Sequence, residues 1–193
     1  MHQLDTILLS SAAHRALEAQ PNAAHLALAM FSINSIRHAI APNSTFTLIT
    51  QNVDGLSTRA WNEVISTAGR EISESDKHPA LLEMHGRLFD VVCTSRRCGH
   101  RETNFNSPIC PALGGTENLV QHGQIEPDIP LEQLPRCSKC GALARPGVVW
   151  FGERPWYLQE IDKLVTEADL YLVIGTSSTV SRCTIYDSKR AHS

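Results

Sequence analysis

The sequence contains no apolar run of the roughly 18 residues that a membrane-spanning helix needs. Its start, MHQLDTILLSSAAHR, also has no basic leader before an apolar stretch. Neither sign of charge predominates, because 17 basic and 20 acidic residues leave a formal net charge of -3. We therefore expect an intracellular protein with no membrane partner and no direct contact with nucleic acid.

Long apolar periods are missing between residues 91 and 143, where cysteine, proline and glycine accumulate. This composition is typical of a small module that is organised by something other than a hydrophobic core. The whole chain, with 193 residues of which 42% are hydrophobic, is long enough to bury one core. The predicted divisions are a core domain of residues 21–90 and 144–180, a module of residues 91–143, and divergent ends at 1–20 and 181–193.

Apolar segments predict three strands, at residues 46–50, 79–84 and 170–174. Apolar residues at helical spacing predict helices at residues 22–40, 61–68 and 156–168. Alternating helices and strands favour an α/β fold with a parallel sheet. The sequence thus predicts a partial doubly wound, Rossmann-like sheet into which a small zinc-ribbon module is inserted.

Polar residues follow two of these strands, where ligands bind in open parallel sheets. The first set is Gln51, Asn52 and Asp54, on the turn that ends at Gly55. The second is Gly175, Thr176 and Ser177, whose hydroxyls and backbone N–H groups suit ribose and phosphate. Together they predict a nucleotide site. The alternative is that these residues only form turns or cap a helix.

Four cysteines form two close pairs that flank the core-poor segment, Cys93 with Cys98 and Cys137 with Cys140. Two short knuckles of this kind present four thiolates to one tetrahedral ion, and an all-sulfur shell indicates structural zinc. The alternative is a set of unrelated buried cysteines. Three further residues are spare candidates: Cys110, for which we expect an ordinary buried thiol, His100 and His122.

His85 lies at the end of the second predicted strand and is followed by Gly86. A lone histidine in such a place is more often a hydrogen-bonded structural residue than a catalyst. Its context favours catalysis, because a nucleotide-type loop precedes it and the cysteine module follows it. His85 is therefore a candidate catalytic residue.

The motifs TQNVDGL, EMHGRL, RCSKCG, VVWFGE and VIGTSS follow one another in this order. In this respect the chain resembles the sirtuins, which are NAD-dependent protein-lysine deacylases. SPICPAL and RPGVVWFGE are similar to the class III, desuccinylase-like branch of mitochondrial and bacterial members. The resemblance extends over residues 21–180, and it implies NAD, structural zinc on the four cysteines, and an acyl-lysine protein or peptide as substrate.

The resemblance also implies roles for single residues. His85 would be the general base that activates a ribose hydroxyl, after the acyl oxygen has displaced nicotinamide from NAD. Gln51 and Asn52 would bind ribose hydroxyls or an ordered water, and Asp54 the nicotinamide carboxamide. The strand-addition segment that grips the substrate would be formed by Val149, Trp150, Phe151, Gly152 and Glu153. The products would be free lysine and O-acyl-ADP-ribose, and a mitochondrial location would follow from the class III branch.

The resemblance fails at both ends of the chain. Residues 1–20 contain no glycine, so the tight turn that lets backbone approach a pyrophosphate is not expected there. The Tyr and Arg that class III members use for acidic acyl groups fall near Leu9 and Ala12, so that selectivity does not carry over. We expect a truncated sirtuin. The alternatives are a catalytically inactive, zinc-containing fragment that binds acyl-peptides or a partner, and an unrelated zinc-ribbon protein.

Overall fold

The computed structural model describes residues 3–68, 80–116 and 129–176, which divide into two compact units at Leu158. The first unit begins with the helices α1 (Gln3–Glu18), α2 (Ala23–Ser32) and α3 (Asn34–Ile40). It continues with the strand β1 (Leu48–Thr50), the helix α4 (Leu56–Ala68) and the strand β2 (Leu81–Glu83). The strands β3 (Gly86–Cys93), β4 (Arg101–Thr103) and β5 (Ala144–Val148) complete it. No helix in these described ranges is long and apolar enough to span a membrane.

The single helix predicted over residues 22–40 is wrong, because two helices meet at Ile33, whose backbone is extended (φ -77, ψ 122). The buried guanidinium of Arg37 explains the break, since it donates to the carbonyl oxygens of Phe31 (3.3 Å) and Ser32 (3.0 Å). It thereby satisfies acceptors that a continuous helix would have bonded internally. The expected apolar stripe is also incomplete: Ile33 is buried, whereas the side chains of Met30 and Ile40 are 47% and 70% exposed.

The parallel sheet of the first unit consists of β1 and β2, paired in the register Leu48 to Leu81 and Thr50 to Glu83. Helix α4 follows β1 along the chain and packs against α2. It starts at Leu56, five residues before the start that apolar spacing predicted, because the side chain of Asp54 accepts the N–H of Leu56 at 2.9 Å. A parallel pair with helices and an inserted cysteine module confirms the predicted fold class.

A second sheet, in the order β4-β3-β5, is antiparallel and was not predicted from the sequence. Its central strand β3 is buried at six of its eight positions, so it lacks the polar and apolar alternation that reveals a strand. The buried Asp90 in its middle is paired by the hydroxyl of Thr103 at 3.2 Å and by Nε of Arg101 at 3.4 Å. These neighbours make burial of the carboxylate tolerable.

Two apolar clusters stabilise the first unit. One joins α1 to the second sheet: its buried members are Ala16, Leu88, Phe89 and Val148, and Leu9, Ala12, Val53 and Trp150 pack against it. The other lies within the cysteine module and consists of Leu113, Ile129 and Leu134. The module therefore contains a small apolar cluster besides its cysteines.

The second unit begins at Gln159, within α5 (Leu158–Glu167), in which Ile161 is 4% exposed. The strand predicted at residues 170–174 is wrong, because no strand forms there among the described residues. Its large apolar side chains are exposed, for example Leu170 at 74% and Leu172 at 67%. A strand needs hydrogen bonds to a neighbour, and the described residues of this unit provide no partner strand.

Candidate functional site

The site is organised around the turn between β2 and β3, at Met84 and His85. The loop that follows β1 lies directly beside this turn. The N–H of Met84 donates to the carbonyl oxygen of Thr50 at 3.1 Å, and the N–H of Leu88 donates to that of Val53 at 2.9 Å. These bonds hold the backbone of residues 50–53 against residues 84–88.

Gly86 is required immediately after His85. Its φ of +78 is disfavoured for residues with a side chain, and an added Cβ would lie 2.1 Å from the carbonyl oxygen of Gly147 in β5. The lack of a side chain therefore lets β5 approach the His85 turn closely. The carbonyl oxygen of His85 then accepts the N–H of Val149, at 2.8 Å.

The imidazole of His85 is half-buried, and its Nδ1 lies 3.0 Å from the carbonyl oxygen of Gln51. A carbonyl oxygen can only accept a hydrogen bond, so Nδ1 carries the proton in neutral imidazole. The other nitrogen, Nε2, keeps a lone pair and has no hydrogen bond within the described residues. A fixed tautomer with a basic Nε2 is the arrangement that proton abstraction requires.

Some of the polar groups of Asp54 and Asn52 on this loop form hydrogen bonds within the fold, and the others have no such bond among the described residues. One carboxylate oxygen of Asp54 accepts the N–H of Leu56, so this side chain also has a structural role at the start of α4. Its second oxygen has no hydrogen bond among the described residues. The side chain of Asn52 is exposed, while its backbone N–H donates to Oγ1 of Thr50 at 3.1 Å. An amide and a carboxylate oxygen are thus available beside His85.

Glu83, two residues before His85, is a carboxyl group that sequence reasoning did not identify. Burial raises its pKa, Arg87 at 3.6 Å opposes this, and the carboxylates of Asp90 and Asp54 raise the pKa further. The motif EMHGRL begins with this residue, but its charged neighbours Asp54 and Asp90 come near it only in the folded chain. A carboxyl of weakened acidity therefore precedes the candidate base by two residues.

Replacing Glu83 with glutamine is expected to stabilise the fold at neutral pH. A raised pKa means that the folded state favours protonated Glu83, so this group's contribution to stability is present below pH 4.5 and is lost as pH rises through its pKa in the folded state. Urea unfolding of both chains from pH 4 to 7 measures this. The wild-type chain should lose stability relative to Glu83→Gln as pH rises. Equal stability of the two chains throughout would contradict the prediction.

The predicted substrate segment follows β5 and forms a tight turn. The N–H of Glu153 donates to the carbonyl oxygen of Trp150 at 2.9 Å, and Gly152 has a φ of +87, as the third residue of a type II turn requires. Phe151 stands at the tip of this turn, and its side chain is fully exposed. Because Val149 is bonded to His85, the turn begins directly beside the candidate base.

Arg145 and Glu153 form an ion pair across this turn, which sequence reasoning also missed. The guanidinium donates to both carboxylate oxygens, at 2.9 Å and 3.2 Å. Burial alone would raise the pKa of Glu153, but the bonds from Arg145 and from the N–H of Trp150 outweigh it and lower the pKa. Eight residues separate the two charges in sequence, a spacing that indicates contact only once the turn is known.

The four predicted zinc ligands converge. The sulfur atoms of Cys93, Cys98, Cys137 and Cys140 all lie within 4.8 Å of one another. The Sγ atoms of Cys93 and Cys140 are 3.5 Å apart, and those of Cys98 and Cys137 are 3.9 Å apart. Tetrahedral zinc with bonds of about 2.3 Å separates its sulfur ligands by about 3.8 Å, so the cluster fits this ion. Four residues separate Cys93 from Cys98, and two separate Cys137 from Cys140; both spacings bring the sulfur atoms into the cluster.

The electrostatics of the cluster also suit a cation. Burial raises the pKa of the Cys93 thiol to about 12. For Cys137 burial is outweighed by backbone N–H groups of Cys140 and Lys139, and the pKa falls to about 7. Thiolates are the ligand form, and a central cation offsets the cost of ionising several neighbouring thiols.

Two of the spare candidates, His100 and Cys110, lie outside this sulfur cluster. His100 bonds to Glu102 at 3.1 Å, and the hydroxyl of Ser138 donates to the same carboxylate at 2.7 Å. The bond from Ser138 and then the one from His100 lower the pKa of Glu102. Cys110 is half-buried, and its Sγ–H donates to the carbonyl oxygen of Gln133 at 3.3 Å. His122 lies outside the described residues.

The predicted second nucleotide loop belongs to the second unit. Gly175 has a φ of +67, as a tight turn at that position requires, and Thr176 is half-buried. Ser177 lies outside the described residues. The assignment of these three residues to a nucleotide site stays a prediction.

Comparisons with known proteins give one consistent family. The family model described as the Sir2 family matches residues 6–182 of the chain. A relative from Canis lupus familiaris, "NAD-dependent protein deacylase sirtuin-5, mitochondrial", is 42% identical over 168 residues, which cover 85% of this chain and 47% of the relative. An "NAD-dependent protein deacylase" from Candida albicans is 39% identical over 195 residues, covering 86% of this chain and 57% of that protein.

Solved structures agree with the sequence relatives. A crystal structure of a Sir2 homolog–NAD complex matches with a TM-score of 0.57 and 31% identity, covering 91% of this chain and 52% of that one. A structure of Sir2Tm bound to a propionylated peptide matches with a TM-score of 0.54 and 25% identity, covering 89% of this chain and 55% of that one. The chain spans about half the length of the proteins it matches.

Proposed function

Because the chain belongs to the Sir2 family, we propose that its function is NAD-dependent removal of acyl groups from protein lysine residues, with transfer of the acyl group to ADP-ribose. The observation that supports this most directly is the bond between His85 Nδ1 and the Gln51 carbonyl oxygen. It leaves Nε2 free as a base, beside a loop that carries amide and carboxylate groups. Since the chain spans about half of its relatives, we assign to it the steps that its own residues can perform.

The donor set after β1 fits the nicotinamide-ribose part of NAD. The exposed amide of Asn52 can both donate to and accept from ribose hydroxyls, and the backbone at Gln51 lies against His85. The second oxygen of Asp54 can accept from the carboxamide N–H of nicotinamide. When bound, NAD supplies the ribose carbon from which nicotinamide departs as the acyl oxygen adds.

His85 acts on the proton of a ribose hydroxyl. Its Nε2 accepts that proton, while the Gln51 carbonyl oxygen stabilises the positive charge that the ring acquires. The ring returns the proton later in the cycle. The exposed Phe151 and the segment from Val149 to Glu153 hold the substrate by strand addition, a mode in which an extended peptide bonds to the main chain. Four cysteines hold a structural zinc ion that takes no part in the chemistry.

The proposal is tested by incubating the purified chain with NAD and an acetyl-lysine or succinyl-lysine peptide. We expect nicotinamide release that requires both reagents, measured by chromatography, with O-acyl-ADP-ribose as the other product. Peptide binding without nicotinamide release would favour the alternative, a zinc-containing fragment that binds acyl-peptides. Neither binding nor release would contradict both interpretations. We propose a mitochondrial location as well, since the names of several relatives give that compartment, and cell fractionation tests it.

A further inference from the structure

We propose that the ion pair between Arg145 and Glu153 is a latch that holds the turn of residues 150–153 in the shape that receives the substrate. The inference rests on the proposed function: it adds Arg145 as a positioning residue and gives Glu153, already in the proposed substrate segment, the same role. Neither residue touches the reacting atoms. Each acts through Phe151 and the backbone of the turn.

The first step of the argument is the number of bonds that converge on Glu153. Its carboxylate accepts both terminal nitrogens of Arg145 and, at 3.1 Å, the backbone N–H of Trp150. Its own N–H closes the turn on the Trp150 carbonyl oxygen. The side chain of one residue therefore ties the fourth position of the turn to its first position and to β5. A bidentate arginine pair of this geometry is directional, unlike a single exposed contact.

The second step is the anchoring of the latch on the strand side. Arg145 lies in β5, opposite Val92 of β3, and its guanidinium is 5.9 Å from the centre of the Trp150 ring. Trp150 packs against the apolar cluster that includes Val148. The guanidinium thus bonds to the carboxylate and lies near the Trp150 ring, with 29% of the Arg145 side chain exposed, so movement of the turn would break several contacts at once.

The third step concerns the backbone hydrogen-bonding groups near the turn that the latch does not use. It occupies the N–H of Trp150, while the N–H of Phe151 and the carbonyl oxygens of Val149 and Phe151 have no hydrogen bond within the described residues. These are the groups that an added peptide strand uses. Phe151, fully exposed at the tip, has no core contact to hold it, so its position depends on the turn. The latch therefore orders an exposed edge that the apolar clusters do not order.

The fourth step is the position of this edge relative to the base. Val149 bonds to the carbonyl oxygen of His85, and the latch begins one residue later. A substrate strand paired along the turn would run beside His85. Loss of the latch should loosen the substrate while leaving the imidazole and its Gln51 contact unchanged.

The test compares Glu153→Gln, Arg145→Gln and the double variant with the wild-type chain. Arg154→Gln is the matched control, because Arg154 is an exposed neighbour of the same charge outside the latch. Hydrogen–deuterium exchange reports on the amides of Trp150 and Glu153, and steady-state kinetics report on the peptide. We expect faster exchange at both amides and a KM for the peptide raised about tenfold, with kcat changed less than about twofold, which a general loss of fold would not produce.

The double variant tests whether Arg145 and Glu153 act together as one pair or independently of each other. If the two residues act through one latch, the double variant should raise KM about as much as either single variant. Additive effects, unchanged exchange at Trp150 and Glu153, or an equal rise in KM in Arg154→Gln would each overturn the inference. Wild-type chain that neither binds peptide nor releases nicotinamide would instead overturn the proposed function, and with it the substrate role of the latch. If only the latch inference is wrong, the wild-type chain is active and the latch variants keep its KM and its amide exchange.

Discussion

Replacing His85 with alanine is expected to lower the rate of the proposed NAD-dependent deacylation by a factor between about one hundred and ten thousand, the usual contribution of a positioned general base. The structure identifies the basic atom that this substitution removes. Gln51 holds Nδ1 as a donor, so Nε2 is the basic atom, and the nearby Asn52 and Asp54 are an amide and a carboxylate that lack a ring nitrogen at this position.

A second variant tests whether His85 acts through its basic nitrogen or only through its hydrogen bond to Gln51. Asparagine at position 85 can donate to the Gln51 carbonyl oxygen in place of Nδ1, but its side chain offers no basic nitrogen. We expect His85→Asn to lose as much activity as His85→Ala while it retains the fold. His14→Gln, at an exposed histidine of α1, is the matched control and should keep full activity. An asparagine variant with wild-type kcat would show that His85 is only a structural residue.

Removing the proposed zinc ligand Cys137 by mutation to serine is expected to abolish stable folding of the cysteine module. Structural zinc sites bind with roughly 10–16 kcal/mol of apparent free energy, which is as large as the roughly 5–15 kcal/mol that stabilises a whole domain. The module has a small apolar cluster of its own, Leu113, Ile129 and Leu134, which is too limited to replace that energy. We expect one zinc ion per wild-type chain and loss of the thermal transition after chelation.

Cys110→Ser is the matched control for this experiment. Cys110 is also a cysteine of the module, but its sulfur bonds to the Gln133 carbonyl oxygen, and a serine hydroxyl can donate to the same acceptor. This variant should retain zinc and melt like the wild type. Metal analysis by mass spectrometry and thermal unfolding by circular dichroism provide the readouts. Full zinc content in Cys137→Ser would exclude the four-cysteine site.

Sequence reasoning succeeded where the signal is local. The spacing of the cysteines predicted the sulfur cluster, and polar residues after an apolar segment predicted the turn that ends at Gly55. It failed where burial or distant pairing decides the outcome. The strand β3 is buried on both faces and hides its period, and the residues at 170–174 have strand composition without a partner strand among the described residues.

The sequence by itself determined the chemical inventory: which residues can bind metal, accept a proton or form the tight turns, because these properties depend on residue type and short spacing. Only the tertiary structure decided which groups meet. His85 finds its carbonyl partner 34 residues away, and Cys93 finds Cys140 at a distance of 47 residues. The latch between Arg145 and Glu153 exists because a type II turn reverses the chain between them. Such contacts depend on the path of the backbone, which is set by the packing of whole strands and helices and not by any local pattern.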